Sequence, residues 1–123
     1  MKIGNDICEV KRFFELTLNK KFIERVFTEK EKEHIFISKE RQKQSERMAG
    51  KFSAKEAVSK ALGLGISDGV TLNSIEILPD EKGAPKVFLS GETKKIFENL
   101  GYKNIEISIS NTSSFATSVC IIF

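Results

Sequence analysis

Between Arg47 and Gly65 the chain puts five polar side chains on the side of a helix that should carry apolar ones. Met48, Phe52, Val58 and Leu62 recur at four- and six-residue intervals, which stacks them on one side of an α-helix. At about 100° per residue, Lys51 and Lys55 fall inside that stripe and Glu56 lies at its edge. Lys60 is one turn beyond Glu56 and faces the same way, with Ser59 beside it. A solvated helix turns its charges away from the apolar stripe. Here a carboxylate, a hydroxyl and several ammonium groups face the packing side and need polar partners there. Two arrangements satisfy them: an anionic ligand held with a metal ion, or an ordinary buried ion-pair network.

A second unusual place is the N-terminal segment. Ile3, Ile7 and Val10 give Lys2 to Val10 the look of a strand, yet Gly4, Asn5 and Asp6 interrupt it. Strand interiors disfavour all three residue types. Their run indicates either a backbone pressed close to another element, with Asp6 presented by it, or a turn or bulge. One carboxylate from Asp6 and one from Glu56 would suit Mg²⁺, which takes hard oxygen ligands, keeps several waters and accepts diphosphate oxygens. Lys60 could then neutralise phosphate charge, and the Gly63-Leu64-Gly65 loop would let a nucleotide approach the backbone. The spacing alone does not bring Asp6 and Glu56 together. His34 is the only histidine, and Cys8 and Cys120 lie at opposite ends of the sequence. A zinc site built on His and Cys is therefore excluded, and the cysteines read as two buried thiols.

These groups have to be positioned by a chain of 123 residues, the length of one domain. Hydrophobic residues make up 40% and charged residues 30%, a globular composition rather than a disordered one. No apolar run reaches the roughly 18 residues of a membrane span. An acidic residue stands where a signal peptide needs its apolar stretch, so a cytoplasmic location is expected. The net charge of +3 favours an acidic or phosphorylated partner and is too small to indicate nucleic acid.

The expected elements follow from periodicity and punctuation. Lys2 to Val10 is the first strand. Lys11 to Leu18 and Lys20 to Phe27 are expected as two short, basic, Phe-rich helical segments. They have either a solvated face over a core face or a surface that receives an acidic protein helix. Thr28 and Glu31 form a capping-box pattern for a helix through Ser38. Lys39 to Leu62 is the long central helix, with Gly50 indicating close approach of another element and Gly63 as its stop. Val70 to Leu78 alternates as a strand, Asp80 to Gly83 turns, and Pro85 to Leu89 returns. Ser90 is expected to cap a helix over Gly91 to Leu100 with Ile96, Phe97 and Leu100 inward. Asn104 to Ser110 and Phe115 to Phe123 are the last strands, the final one apolar enough to be central or at an interface. The class is α+β: helices in the first half, and a mostly antiparallel sheet completed by the first strand and packed on the long helix.

Several of these residues fall into recognisable motifs. Gly4-Asn5-Asp6 fits a Gly-x-Asp near the N-terminus. Phe52-Ser-Ala-Lys55-Glu56-Ala-Val-Ser-Lys60 fits a (Phe/Trp)-(Ser/Cys/Ala)-x-Lys-Glu-(Ala/Ser)-x-x-Lys signature. Ala61-Leu-Gly63-Leu-Gly65-Ile66, Ile75-Glu76-Ile77 and Gly83-Ala84-Pro85 follow in the matching order. In these motifs the chain resembles the 4′-phosphopantetheinyl transferases, specifically the small holo-acyl-carrier-protein synthases, over essentially its whole length.

The resemblance implies transfer of phosphopantetheine from coenzyme A to a serine of apo-acyl carrier protein, for fatty acid biosynthesis, with release of adenosine 3′,5′-bisphosphate. It implies Mg²⁺ held by Asp6 and Glu56, with Glu56 as base for the serine and Lys60 stabilising the leaving phosphate. It implies that Lys43, Lys51, Lys60, Gly63, Gly65, Asn111 and Thr112 bind the nucleotide end. The carrier would dock on Arg12, Lys21, Phe22 and Arg25. It further implies a homotrimer with sites between subunits. One position departs: the family usually has Ser-(Ile/Leu)-(Ser/Thr)-His-Thr where this chain has Ser108-Ile-Ser110-Asn111-Thr112. Asn cannot shuttle a proton near neutral pH, so Asn111 is expected to position rather than to act as a base. A non-catalytic nucleotide-binding scaffold and a nucleic-acid module are the competing readings. The second is weak, because the basic residues are interleaved with acids and no aromatic stacking sheet is evident.

Overall fold

A strand and a long helix pressed against each other form the centre of the protein. In a computed structural model, which describes residues 1–65 and 70–123, strand β1 spans Lys2–Glu9. Residue 66 of the Gly-Leu-Gly-Ile motif therefore lies outside the described residues. Two 3₁₀ turns follow, Val10–Phe13 and Glu15–Leu18, then helices α1 (Lys20–Val26), α2 (Glu29–Phe36) and α3 (Arg41–Ala61). Strands β2 (Ile75–Pro79) and β3 (Pro85–Leu89), helix α4 (Gly91–Asn99), and strands β4 (Ile105–Asn111) and β5 (Phe115–Ile122) complete the described chain. The α+β class holds.

Gly4, Asn5 and Asp6 neither turn nor bulge. They pair with Cys120, Val119 and Ser118 in an unbroken antiparallel ladder. Close approach is the correct alternative: a Cβ built on Gly4 would sit 2.0 Å from Ala57 O and 2.6 Å from Ala61 N of α3. Gly50 lacks the same justification, since its Cβ would make only an ordinary 3.5 Å contact with Ile109 Cγ2.

The expected single sheet is two antiparallel sheets, β1-β5-β4 and β2-β3. Strand β5 is central in the first, as its apolar sequence suggested. The second starts late: Val70 to Leu78 is not one strand, because Leu72–Ser74 is a 3₁₀ turn. There the Ser74 hydroxyl donates to Thr71 O at 2.6 Å, a local bond that competes with strand pairing. The short helical segment expected over Lys11 to Leu18 is present as two 3₁₀ turns, Val10–Phe13 and Glu15–Leu18. Asn19 caps α1 by accepting from Phe22 N at 3.0 Å. Thr28 and Glu31 form the capping box. Ser90 makes no side-chain cap bond, and Leu100 is exposed rather than inward.

Two apolar clusters flank α3. Phe13, Phe22, Phe27, Ile35, Met48 and Phe52 belong to one; Ala57, Val58, Ile75, Ile77 and Ile122 belong to the other. Between α2, α3 and β2 lies a buried ion pair. Lys55 Nζ donates to Glu31 Oε1 at 2.8 Å, to Leu72 O at 2.8 Å and to Ile75 O, and neither charged side chain is exposed. Glu31 also accepts from Thr28 N at 2.9 Å and from Ile77 N at 2.8 Å. Lys55 thus realises the structural reading of the helix's inward charges. Removing one partner leaves an uncompensated buried charge. Glu31→Gln is expected to lower the unfolding free energy in urea by about 3 kcal/mol, and a loss below about 1 kcal/mol would show the pair to be dispensable.

Candidate active site

The two-residue period of β1 puts Gly4, Asp6 and Cys8 on the face that meets α3. Because Gly4 lets the strand lie against Ala57 and Ala61, Asp6 reaches the last turns of the helix. Lys60 Nζ donates to Asp6 Oδ1 at 3.2 Å and to Asn5 O at 3.1 Å. Glu56, one turn earlier, is half-buried, and its carboxylate accepts no hydrogen bond from the described residues. Burial, then the neighbouring Asp6 charge, pushes the Glu56 carboxyl above its usual range, while Lys60 and Arg12 pull it back. Arg12 is held at this place by stacking: its guanidinium carbon lies 5.0 Å from the Phe52 ring centroid and 5.5 Å from that of Phe13.

Asp6, Glu56, Lys60 and Arg12 therefore form one cluster. Two mutually repelling, half-buried carboxylates with one set of oxygens free suit a hard cation that takes its remaining ligands from water and phosphate. Among the described residues no group of three or more His, Cys, Asp or Glu side chains could enclose a metal. Such a site would be open rather than a closed protein cage. Gly63 adopts φ +74°, a conformation that favours glycine, and ends α3 next to this cluster; a Cβ there would meet nothing within 4 Å. Gly65 is exposed on the same segment.

The remaining expected nucleotide residues gather elsewhere. A cleft of about 300 Å³ opens between α3, the β2–β3 hairpin and the end of β4. Lys43, Lys51 and Asn111 line it, together with His34, Glu46 and Arg47, which the sequence reading had not placed in any site. The missed signal is the four-residue ladder Lys43-Arg47-Lys51, which lies on one helix face. Thr112 sits at the β4–β5 turn, where its hydroxyl accepts from Ser114 N at 3.1 Å and Phe115 N at 3.0 Å. Along α3, Lys43 and Glu56 are separated by on the order of 20 Å at 1.5 Å per residue. One chain thus holds two separated sets of candidate residues.

Lys51 is only 4% exposed, and its ammonium group donates to Ile77 O at 2.8 Å. Burial lowers its pKa to about 8, with Glu31 partly offsetting this. In the unfolded chain the amine retains its ordinary pKa near 10.5. Between pH 8 and 10.5 the unfolded chain binds the proton that the folded chain has released, so stability contributed at this position rises with pH. Relative to Lys51→Met, the wild-type chain is expected to gain roughly 2–3 kcal/mol in urea unfolding between pH 7.5 and pH 10.5. A flat difference would contradict the burial of the charge.

Of the expected docking residues, Lys21 and Arg25 are exposed on α1, and Arg12 is exposed beside the cluster. Phe22 requires correction. It is 9% exposed and packs among Phe13, Phe27 and Phe52, with centroids 6.1–6.3 Å away, so it belongs to the core and not to a docking surface. The exposed apolar residue of that region is Leu18, at 72%.

Residues 2–120 match the family described as the 4′-phosphopantetheinyl transferase superfamily, ACPS. The chain belongs to this family. Within it, the similarity is to holo-[acyl-carrier-protein] synthases. That of Caldanaerobacter subterraneus is 46% identical over 119 residues, covering 97% of this chain and 91% of the relative. That of Thermoanaerobacter sp. is 51% identical over 74 residues, or 60% of this chain and about half (53%) of the relative. A holo-(acyl-carrier-protein) synthase crystal structure from Bacillus anthracis, in complex with CoA (3′,5′-ADP), superposes with a TM-score of 0.80 at 36% identity, over 98% of this chain and 94% of that one.

Proposed function

We propose that this chain is a Mg²⁺-dependent holo-[acyl-carrier-protein] synthase, acting in the cytoplasm for fatty acid biosynthesis. It would move the 4′-phosphopantetheine of coenzyme A to a serine of apo-acyl carrier protein. The observation that carries the reading is the Asp6–Glu56–Lys60 cluster, in which Asp6, 54 residues from Lys60 in sequence, meets the helix pair at one strand–helix contact.

Asp6 and Glu56 would hold Mg²⁺, which when bound supplies electrophilic activation of the diphosphate. Glu56, whose proton affinity is raised by burial and by Asp6, takes the serine proton directly or through a water. The serine oxygen forms a bond to the β-phosphorus, and the bond from that phosphorus to the bridging oxygen breaks. Lys60, already beside Asp6, neutralises charge on the departing adenosine 3′,5′-bisphosphate and can donate a proton to it. Lys43, Lys51 and Asn111 receive the nucleotide end in the cleft, and Gly63, Gly65 and Thr112 border the path of the ligand. Arg12, Lys21 and Arg25, with Leu18, present a basic surface suited to an acidic carrier.

Lys43 and Glu56 lie on the order of 20 Å apart along α3, and Lys51 and Glu56 point about 140° apart around it, an arrangement that sites between the subunits of a homotrimer would use. The outer face of the β1-β5-β4 sheet also supports such an assembly, since Ile3, Ile7, Phe115 and Val119 are 68%, 66%, 48% and 40% exposed there. Intact-mass spectrometry of apo-acyl carrier protein incubated with this chain, coenzyme A and Mg²⁺ should show one added phosphopantetheine, lost with EDTA. No gain with coenzyme A still bound would favour a non-catalytic scaffold. Co-expressed Glu56→Gln and Lys43→Ala/Arg47→Ala chains should recover activity that neither has alone. Failure to recover it would place each site within one chain.

A further inference from the structure

Four charged groups meet where β1 crosses the end of α3, and their charges cancel. Asp6 and Glu56 are the carboxylates; Lys60 and Arg12 are the cations. The Glu56 carboxyl, raised first by burial, is raised further by Asp6 and pulled back by Lys60 and Arg12. The groups differ in their freedom to move. Asp6 is fixed: its backbone pairs with Ser118, its carbonyl accepts from Thr117 Oγ1 at 3.0 Å, and its side chain is 16% exposed. Arg12 is fixed by its stack on Phe13 and Phe52. Lys60 is held only through its ammonium group, on Asp6 Oδ1 and Asn5 O, and its side chain is 54% exposed. A flexible four-carbon stem lets that ammonium swing away without moving the helix.

Asp6 Oδ2 and both Glu56 oxygens accept from no described residue, so the ion pair does not block a hard cation sterically. Charge opposes it instead. A dication arriving alone would give a neutral cluster the ion's full double charge, and it would share the Asp6 carboxylate with Lys60. A diphosphate dianion arriving with the cation restores neutrality. It also offers Lys60 a new partner. The exchange is simple for Lys60, whose ammonium has to leave only one carboxylate oxygen and one backbone carbonyl.

We propose that Lys60 guards the metal position: resting on Asp6 it keeps a divalent cation from binding alone, and passing to the diphosphate it admits the cation and a diphosphate dianion together. This rests on the reading of Asp6 and Glu56 as metal ligands given above, and adds the order in which the ligands are taken. The divalent ion is then acquired with each diphosphate rather than kept between turnovers. This action of Lys60 works through its hold on Asp6 and is separate from any help it gives to the departing nucleotide.

Mn²⁺, standing in for Mg²⁺, provides the test. The assembled protein is titrated with it, with and without coenzyme A and with no carrier protein, following the EPR signal of the free ion and subtracting the uptake by coenzyme A itself. Wild type is expected to bind Mn²⁺ about 30-fold tighter or more when coenzyme A is present. Lys60→Met is expected to bind Mn²⁺ alone about tenfold tighter than wild type, the scale of removing one unit charge a few ångströms from a dication. With coenzyme A present it should bind the ion no tighter than wild type does. Lys60→Arg keeps the charge and is expected to stay within about threefold of wild type for Mn²⁺ alone. A Lys60→Met protein that binds Mn²⁺ alone no tighter than wild type overturns the guard role and makes Lys60 a strut for Asp6. Equal gains in Lys60→Arg and Lys60→Met overturn it too, because charge would not be the cause. If wild type takes up no Mn²⁺ even with coenzyme A, the metal reading of Asp6 and Glu56 fails as well, a different outcome from tight binding that ignores Lys60.

Discussion

Glu56→Gln is expected to abolish carrier modification, by three orders of magnitude or more, in a protein that folds as well as the wild type. The size follows from two losses at one atom pair. A positioned base contributes about 10²–10⁴-fold, and a neutral amide is also a poorer oxygen ligand for a divalent ion. Retention of the fold follows from what Glu56 does not do. Its carboxylate accepts no hydrogen bond from the described residues, and burial and Asp6 raise its pKa. Between the ordinary carboxylate pKa of 4.5 and the raised folded value, the folded chain holds a proton that the unfolded chain has lost. The group's contribution to stability therefore falls as pH rises through that window, and at neutral pH the ionised Glu56 is a cost. The variant should melt no lower than wild type at pH 7 without metal. Single-turnover intact-mass measurements check the activity and a thermal melt checks the fold. Turnover within tenfold of wild type would remove Glu56 from the chemistry, while a collapsed melt would make it structural.

How far the sequence announced this site depends on the residue. Gly4 and Asp6 were legible because three strand-averse residues sat in a strand pattern, which left close contact and a turn or bulge both open; the unbroken ladder with β5 and the approach of Ala57 decide for contact. Glu56 and Lys60 were legible from helical spacing, but spacing left the ligand and ion-pair readings equally open. The structure divides them: Lys55 meets a buried carboxylate, whereas Lys51 meets a backbone carbonyl and lines a cleft. That division depends on where Glu31 arrives, and Glu31 is 24 residues from Lys55 in sequence. The contact between Glu46 and Asn111 spans 65 residues and follows no local period, so no pattern in the sequence points to it. Phe22 failed in the opposite direction. On a helix of seven residues the apolar stripe serves the core, and the ring joined the cluster around Phe13 and Phe52 rather than facing a partner. Val70 to Leu78 failed because alternation of apolar residues says nothing about Thr71, Asn73 and Ser74 bonding to one another and closing a turn.

Gly4→Ala is expected to be the most damaging single-methyl change in the protein. By propensity alone it should help: Gly4 is not among the residues with positive φ, and alanine in a strand is favoured over glycine by about 0.5–1 kcal/mol. Contact reverses the sign. The added Cβ would lie 2.0 Å from Ala57 O, 2.6 Å from Ala61 N and 3.1 Å from Ala57 C. All three are backbone atoms of a regular helix, so no rotamer change relieves the clash, and trimming Ala57 or Ala61 to glycine would not relieve it either. The strand must move off the helix. Because β1 lies at the edge of its sheet and is paired only with β5, it can do so, carrying Asp6 with it. The expected cost is about 3–5 kcal/mol, above the usual 1–3 kcal/mol of overpacking because the clash is with backbone, and more than most single substitutions. In the fraction that still folds, a displacement of about 1 Å between Asp6 and Glu56 is expected to lower activity roughly 100-fold. Urea unfolding gives the first number and specific activity of the folded fraction gives the second. A variant within about 1 kcal/mol of wild type would mean that β1 and α3 are not in contact at Gly4. The shared position of Asp6 and Glu56, on which the proposed chemistry rests, would then fall with that contact.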